Sequence, residues 1–420
     1  MNFTALIFGF VFTFFPQTPE VSETVGFTLL QKVTVAQEML NTIPLGLETK
    51  IIVRSVKSKK GIMRVETKRV VGREVLLVAW DPDGQGENAF HVIRFSIPHP
   101  FPTKGFAIFV KNGEYEVIRV SGSIPMKFVF RARLAGKPLI VLAGKYWWLP
   151  RSAAKEQDVK KFMAVAKEFV YSPFADDFYI DELRIVGGKF LFDTVERVQM
   201  RLNEQKIISR AYPEELLGGV IKTDWVVNLG LNEQMDHGKF NSNRRRSAVE
   251  IAIEYALNLD KSYSRIESSA NARGAYQFTN RWKGKRPGTY DRIVQQYREV
   301  GLIADFAEGT QNLENMIAMA FCLLDAELAQ LPKEARELYK KDYRAGSIFP
   351  TAGYNGGGGR AWQVWNWVQR KKIKLAYDTP LPRPAFGGRK GAETYVYIQK
   401  HQFLWEFIDE LKKELMIPSN

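Results

Sequence analysis

Apolar residues follow two rhythms along this chain, and the change between them falls near residue 150. Before it, short β-branched and aromatic runs predict strands: Ile51-Ile52-Val53, Gly61–Val65, Val75–Trp80, Phe90–Phe95, Phe106–Val110, Tyr115–Val120 and Lys127–Arg131. Asp83-Gly84, Asn112-Gly113 and Ala135-Gly136 punctuate them. Short strands at this spacing predict a β-sandwich or barrel. Asn112-Gly113 predicts a tight hairpin, because those two types tolerate left-handed backbone. Beyond residue 150 the apolar positions recur at helical spacing. Ala153–Val170 reads as a helix, Glu182–Gln205 as one or two helices interrupted by Gly187-Gly188, and Tyr397–Leu415 as a closing helix. Asn312–Leu331 is the strongest: Leu313, Met316, Ile317, Ala320, Phe321, Leu324 and Leu328 share one face, with further apolar residues around them. Such a helix is buried on all sides. A helix is also expected over Val21–Asn41, ahead of the strands. Met1–Phe15 is almost wholly apolar and ends at Pro16. A membrane-spanning helix needs about 20 such residues, so this stretch is expected to be an export signal or short anchor.

Composition adds scale and polarity. A chain of 420 residues exceeds one ordinary core, so two or three domains are expected. The net charge of +14 favours polyanions. The basic residues are scattered rather than striped and no nucleic-acid motif accompanies them, which points to anionic envelope polymers and away from nucleic acid. The run Arg244-Arg245-Arg246 reads as a solvated helix start. Cys322, the single cysteine, lies in an apolar run and is expected in the core. His91, His99, His237 and His401 stand apart with no ligand spacing, so neither a metal nor a cofactor is predicted. Asp81–Glu87 superficially suggests a calcium loop but lacks the spacing, and reads as a turn.

Candidate chemistry centres on Glu267. The apolar segment Ala248–Leu259 leads into it and a glycine-containing turn leaves it. A carboxylate at the end of a buried helix is desolvated and can hold its proton at neutral pH. A general acid on a sugar bond needs that property. Downstream come Ser268, Asn271, Gly274-Ala275-Tyr276-Gln277, then Gly353-Tyr354-Asn355-Gly356-Gly357, then Glu393-Thr394-Tyr395-Val396. In this order the motifs resemble the catalytic domain of the soluble lytic transglycosylases, in the lysozyme-like superfamily, over about residues 245–400. The chain departs from the family pattern in places: only six residues separate Glu267 from Gly274, and the pair after Tyr354-Asn355 is Gly356-Gly357. These departures bear on the shape of the cleft.

The patterning predicts a multidomain α+β chain, and the resemblance makes its last part lysozyme-like. Residues 1–20 would be the signal or anchor, 21–150 a β-rich domain, 151–240 a helical linking region, and 241–420 a mainly α lysozyme-like domain. The resemblance implies cleavage of the bond from N-acetylmuramic acid to N-acetylglucosamine in peptidoglycan strands, leaving a 1,6-anhydro end. Glu267 would be acid and then base, and Tyr354 would orient its carboxyl. Ser268, Tyr276, Gln277 and Asn355 would contact substrate. A single carboxylate suffices for that chemistry, and Ser268–Asn280 contains no Asp or Glu. A hydrolytic muramidase on the same fold is the first alternative. A non-catalytic wall-binding or assembly protein is the second. The expected location is the cell envelope, with the β-rich region meeting anionic envelope polymers or other envelope proteins.

Overall fold

The structure is a computed structural model describing residues 25–58, 61–84, 86–101, 108–122, 127–282 and 286–416. The expected signal or anchor and part of the run Phe106–Val110 lie outside the described residues. No helix among them is long and apolar enough to cross a membrane.

Helix α1 (Val25–Thr42) leads into eight strands: β1 (Leu47–Ser58), β2 (Gly61–Trp80), β3 (Phe90–Pro98), β4 (Phe109–Asn112), β5 (Tyr115–Ser121), β6 (Val129–Leu134), β7 (Lys137–Trp148) and β8 (Lys167–Tyr171). They form one antiparallel sheet in the order β1-β2-β7-β6-β5-β4, with β3 branching from β2 and β8 from β7. A sandwich or barrel was the expectation; a single curled sheet is the finding. Asn112 Nδ2 donates to the Arg94 carbonyl at 3.0 Å and His91 meets Tyr115 at 3.1 Å. Side chains therefore join β3 to the β4–β5 hairpin with no ladder between them. The unbroken run Val75–Ala79 is buried throughout because both faces of β2 are covered. Val75, Leu77 and Ala79 face a core with Ile93, Phe95 and Phe130, whereas Leu76 and Val78 join the core of the helices. The Asn112-Gly113 hairpin forms as expected, with Asn112 opposite Tyr115 and Gly113 at φ +61°.

The helical body contains α2 (Val159–Val165), α3 (Asp181–Glu204), α4 (Leu217–Val220), α5 (Thr223–Gln234), α6 (His237–Ser242) and α7 (Arg244–Asn258). It continues with α8 (Thr289–Gln296), α9 (Phe306–Gly309), α10 (Leu313–Ala329), α11 (Lys333–Lys341), α12 (Tyr343–Gly356), α13 (Gly358–Arg370) and α14 (Ala392–Glu414). Two expected helices change. Ala153–Val170 holds only the short α2, capped by Asp158, before the β-branched and aromatic run Phe169-Val170-Tyr171 pairs with β7 as β8. The pair Gly187-Gly188 does not interrupt α3. It lets α3 lie against α7, since a Cβ on Gly187 would stand 1.7 Å from the Ala252 carbonyl oxygen.

Helix α10 is the central buried helix, with Asn312 as its N-cap and Cys322 in the core. Asp325, fully buried on α10, accepts from Ser209 Oγ at 2.6 Å, from the Arg210 and Ala211 N–H groups at 2.7 and 3.3 Å, and from the Tyr297 hydroxyl at 2.8 Å. Helices α3 and α5 share one continuous core with α7, α10, α12, α14 and one face of the sheet. Within the segment 151–240, helices α3, α4 and α5 contribute to that core. The three arginines at the start of α7 are engaged within the chain: Arg245 with Glu410, Arg246 with Asp176 and Glu250, and Arg244 over the Phe240 ring.

Candidate functional site

Three helices converge on one cleft because buried polar side chains lock them together. Asn228 on α5 donates to the His401 carbonyl of α14 at 3.0 Å, and Asn232 donates to the Tyr397 carbonyl at 3.1 Å. The His401 ring, pushed down to about 3 by burial and therefore neutral, bridges Asn228 and Ser347 of α12. Trp225 Nε1 reaches Thr351 Oγ1 on α12 at 3.0 Å. Such buried hydrogen-bond networks fix one arrangement of the helices.

The cleft between them has a volume of about 460 Å³. The predicted residues Ser268, Gln277, Tyr354 and Asn355 line it, as do Glu233, Arg292, Glu327 and Glu393. Glu267 and Tyr276 are not among the lining residues. Tyr276 is fully buried and its hydroxyl donates to the Val226 carbonyl, so it fastens the wall to α5 instead of facing a ligand. Glu267 does not end a helix: α7 stops at Asn258 and Glu267 follows in a loop. Its Oε1 pairs with Arg273 at 3.3 Å, and its Oε2 accepts from the Arg151 N–H at 3.0 Å. The neighbouring Arg265 carbonyl accepts from Trp148 Nε1 at 3.1 Å, and the Arg265 guanidinium stacks on the Trp148 ring. The end of β7 and the turn after it therefore hold the back of this loop.

The carboxylate that does end a helix in the cleft is Glu233, the penultimate residue of α5. Desolvation raises it from the ordinary 4.5 to about 7, with nearby Glu393 adding to the rise. The Tyr397 hydroxyl, which donates to Glu233 Oε1, and the Lys400 ammonium pull the other way. Burial, with Glu233 nearby, raises the Tyr354 and Tyr397 hydroxyls well above their usual range. Tyr354 thus stands near Glu233, and its hydroxyl donates to the Tyr276 carbonyl at 2.5 Å. The expected pairing of Tyr354 with Glu267 is absent from its contacts.

The wall opposite the helices is the loop 262–280. Tyr263, Asn271, Gly274 and Gln277 all have positive φ there. Ser268 Oγ accepts from the Ala270 and Ala272 N–H groups at 3.2 and 3.1 Å, and so shapes the loop as well as lining the cleft. Gln234, next to Glu233, donates to the Gly274 and Ala275 carbonyls at 3.3 and 2.7 Å. Asn355 Oδ1 accepts from Thr394 Oγ1 at 2.7 Å, which joins the two downstream motifs. Gly274 has φ +76°, and a Cβ there would stand 2.4 Å from the Thr310 carbonyl oxygen. Gly274→Ala is accordingly expected to destabilise the fold by about 1–3 kcal/mol, read from the urea midpoint at unchanged m.

Sequence reasoning missed Glu233, Arg292 and Glu327. A signal for the first was available: Trp225–Leu231 is an apolar helical run that ends on Asn232-Glu233-Gln234. Among the described residues no group of His, Cys, Asp and Glu is arranged to hold a metal. No protein-family model matches the chain, and no curated protein or solved structure does either.

Proposed function

We propose that the chain is a lysozyme-like glycosidase that cuts peptidoglycan strands by lytic transglycosylation, with Glu233 as general acid and then base. The observation that carries this reading is one carboxylate at a helix end, desolvated to about 7, in a cleft lined by Gln277, Tyr354 and Asn355 from the motifs that resemble the family. Protonated Glu233 gives its proton to the glycosidic oxygen as that bond breaks. The resulting carboxylate takes the proton of the muramyl 6-hydroxyl, whose oxygen bonds to the anomeric carbon and closes the 1,6-anhydro ring. Tyr397 holds the carboxyl by its hydroxyl, and Tyr354 braces the loop opposite. The role expected of Glu267 passes to Glu233, because the ion pair with Arg273 and the Arg151 N–H occupy Glu267.

A hydrolytic muramidase is the second reading, favoured by one feature: Glu393 lines the same cleft and is exposed, so it can reach a water. Mass spectrometry of products from purified peptidoglycan separates the two. Anhydro ends from the wild type, absent with Glu233→Gln, support transglycosylation; reducing ends assign hydrolysis.

The pH dependence follows from the direction of the shift. The acid works protonated, and a folded value of about 7 keeps it so well above the usual carboxylate range. The expected profile of kcat/KM falls above about pH 7, where an unshifted glutamate would already lose activity above 4.5. A limb near 4.5 would assign the acid elsewhere.

A further inference from the structure

Arg292 is the only cationic side chain among the described residues that line the cleft; Glu233, Glu327 and Glu393 are its carboxylates. It stands on α8, and its Nη2 pairs with Glu327 Oε1 at 3.2 Å. The two side chains differ in exposure: Arg292 is 35% exposed on the cleft wall and Glu327 only 4%. Glu327 sits on α10 among Leu323, Leu324 and Leu328, and its Oε2 is buried with no hydrogen-bond partner. Room for that oxygen depends on Gly353, where a Cβ would stand 2.6 Å from it.

This is a poor device for stability. Burying a carboxylate costs several kcal/mol, and an incompletely partnered one recovers only part of that from its cation. An apolar pair of the same volume would hold α8 to α10 better. What the pair does provide is a guanidinium held from behind at one fixed place, with its other N–H donors open to the cleft. A guanidinium so held presents a planar fork that matches a carboxylate. Glu393 is exposed in the same cleft and disfavours a negative group beside it, so this one cation marks where such a group can lie.

Resting on the glycosidase reading above, we propose that Arg292 recognises a carboxylate substituent of the glycan and so sets its register in the cleft, with Glu327 as the residue that positions the guanidinium. The substrate class is thereby narrowed to acid-bearing amino-sugar strands over neutral ones such as chitin oligomers. The carboxylate has two sources, an acid group carried directly on the sugar ring or one at the end of an attached peptide.

The test is equilibrium binding by calorimetry to the full chain carrying Glu233→Gln, which does not depend on turnover. Three probes are used: amidase-treated wall glycan with a free carboxylate on each muramyl ring, the same glycan with those carboxylates converted to methylamides, and glycan with intact peptides. Roughly tenfold to a hundredfold tighter binding of the ring-carboxylate form over the methylamide is expected, the range of one charge-assisted hydrogen-bond pair. A preference seen only with intact peptides assigns the peptide carboxylate instead, and still supports recognition by Arg292. Adding Arg292→Ala is expected to abolish the preference. The combination Arg292→Ala with Glu327→Gln does the same without leaving a buried charge unpaired. Glu327→Gln alone is expected to weaken the preference without removing it, whereas a merely structural Glu327 would leave it unchanged. Equal binding of all three probes, or a preference that survives loss of Arg292, overturns the inference and leaves the glycosidase reading standing. Binding of none of them overturns both.

Discussion

Glu233→Gln is expected to lower the rate of glycan cleavage by roughly 10²–10⁴-fold, the usual contribution of a positioned general acid. The amide keeps the shape of the side chain and its acceptor for the Tyr397 hydroxyl. The variant should therefore fold as the wild type does and still bind glycan. The informative control is Glu267→Gln. Its carbonyl oxygen can still accept from the Arg151 N–H, and what is lost is the charge opposite Arg273. That pair is largely buried, so a stability loss of about 1–3 kcal/mol is expected, with cleavage within a few-fold of wild type. The two variants separate the assignments in one experiment. Loss of cleavage in the folded Glu267→Gln protein, with retention in Glu233→Gln, would return the acid to the loop.

Asp325→Ala has the largest expected effect on the fold. The carboxylate gathers four donors from two separate segments onto α10: Ser209 and the two N–H groups after it, and Tyr297. Removing it leaves those donors buried without an acceptor, at a cost of about 3–5 kcal/mol. Asp325→Asn keeps one acceptor oxygen and should fall between. Urea unfolding followed by circular dichroism measures both. A loss below about 1 kcal/mol for the alanine variant would mean that water replaces the carboxylate, and that this anchor does not hold α10 in place.

Most strands before residue 135 and the central helix were legible because each is settled by local pattern, whereas β7 (Lys137–Trp148) was not among the predicted runs. Val75–Ala79 is apolar at every position, and the face of α10 repeats over several turns. Local pattern failed where packing at a distance decides. Gly187-Gly188 reads as a break until α7 is seen lying against it. Residues 167–171 follow directly on the apolar run of α2, and only the free edge of β7 turns them into a strand. The same division runs through the site. Ser268, Gln277, Tyr354 and Asn355 were found from short ordered motifs and all line the cleft. Glu267 was singled out as the apparent end of the apolar run Ala248–Leu259 and the residue before Ser268, but α7 ends at Asn258. Glu233 lies 41 residues before Gly274 and is brought to it by the Gln234 side chain, a contact no linear spacing displays.

The hydrogen bonds from Trp148 and the Arg151 backbone to the loop 262–280 bear on how this molecule can be divided. A fragment begun at residue 241 would omit α5, and with it the carboxyl that the cleft is built around. A fragment begun at 223 would recover the carboxyl but strip the rear support from the opposite wall. The sheet is a scaffold for the cleft rather than a passenger beside it, so the shortest self-sufficient piece has to carry β7 and the turn that follows it. Joining the helical half to a foreign amino-terminal partner would then lose activity through a slack wall, with every cleft-lining side chain still present.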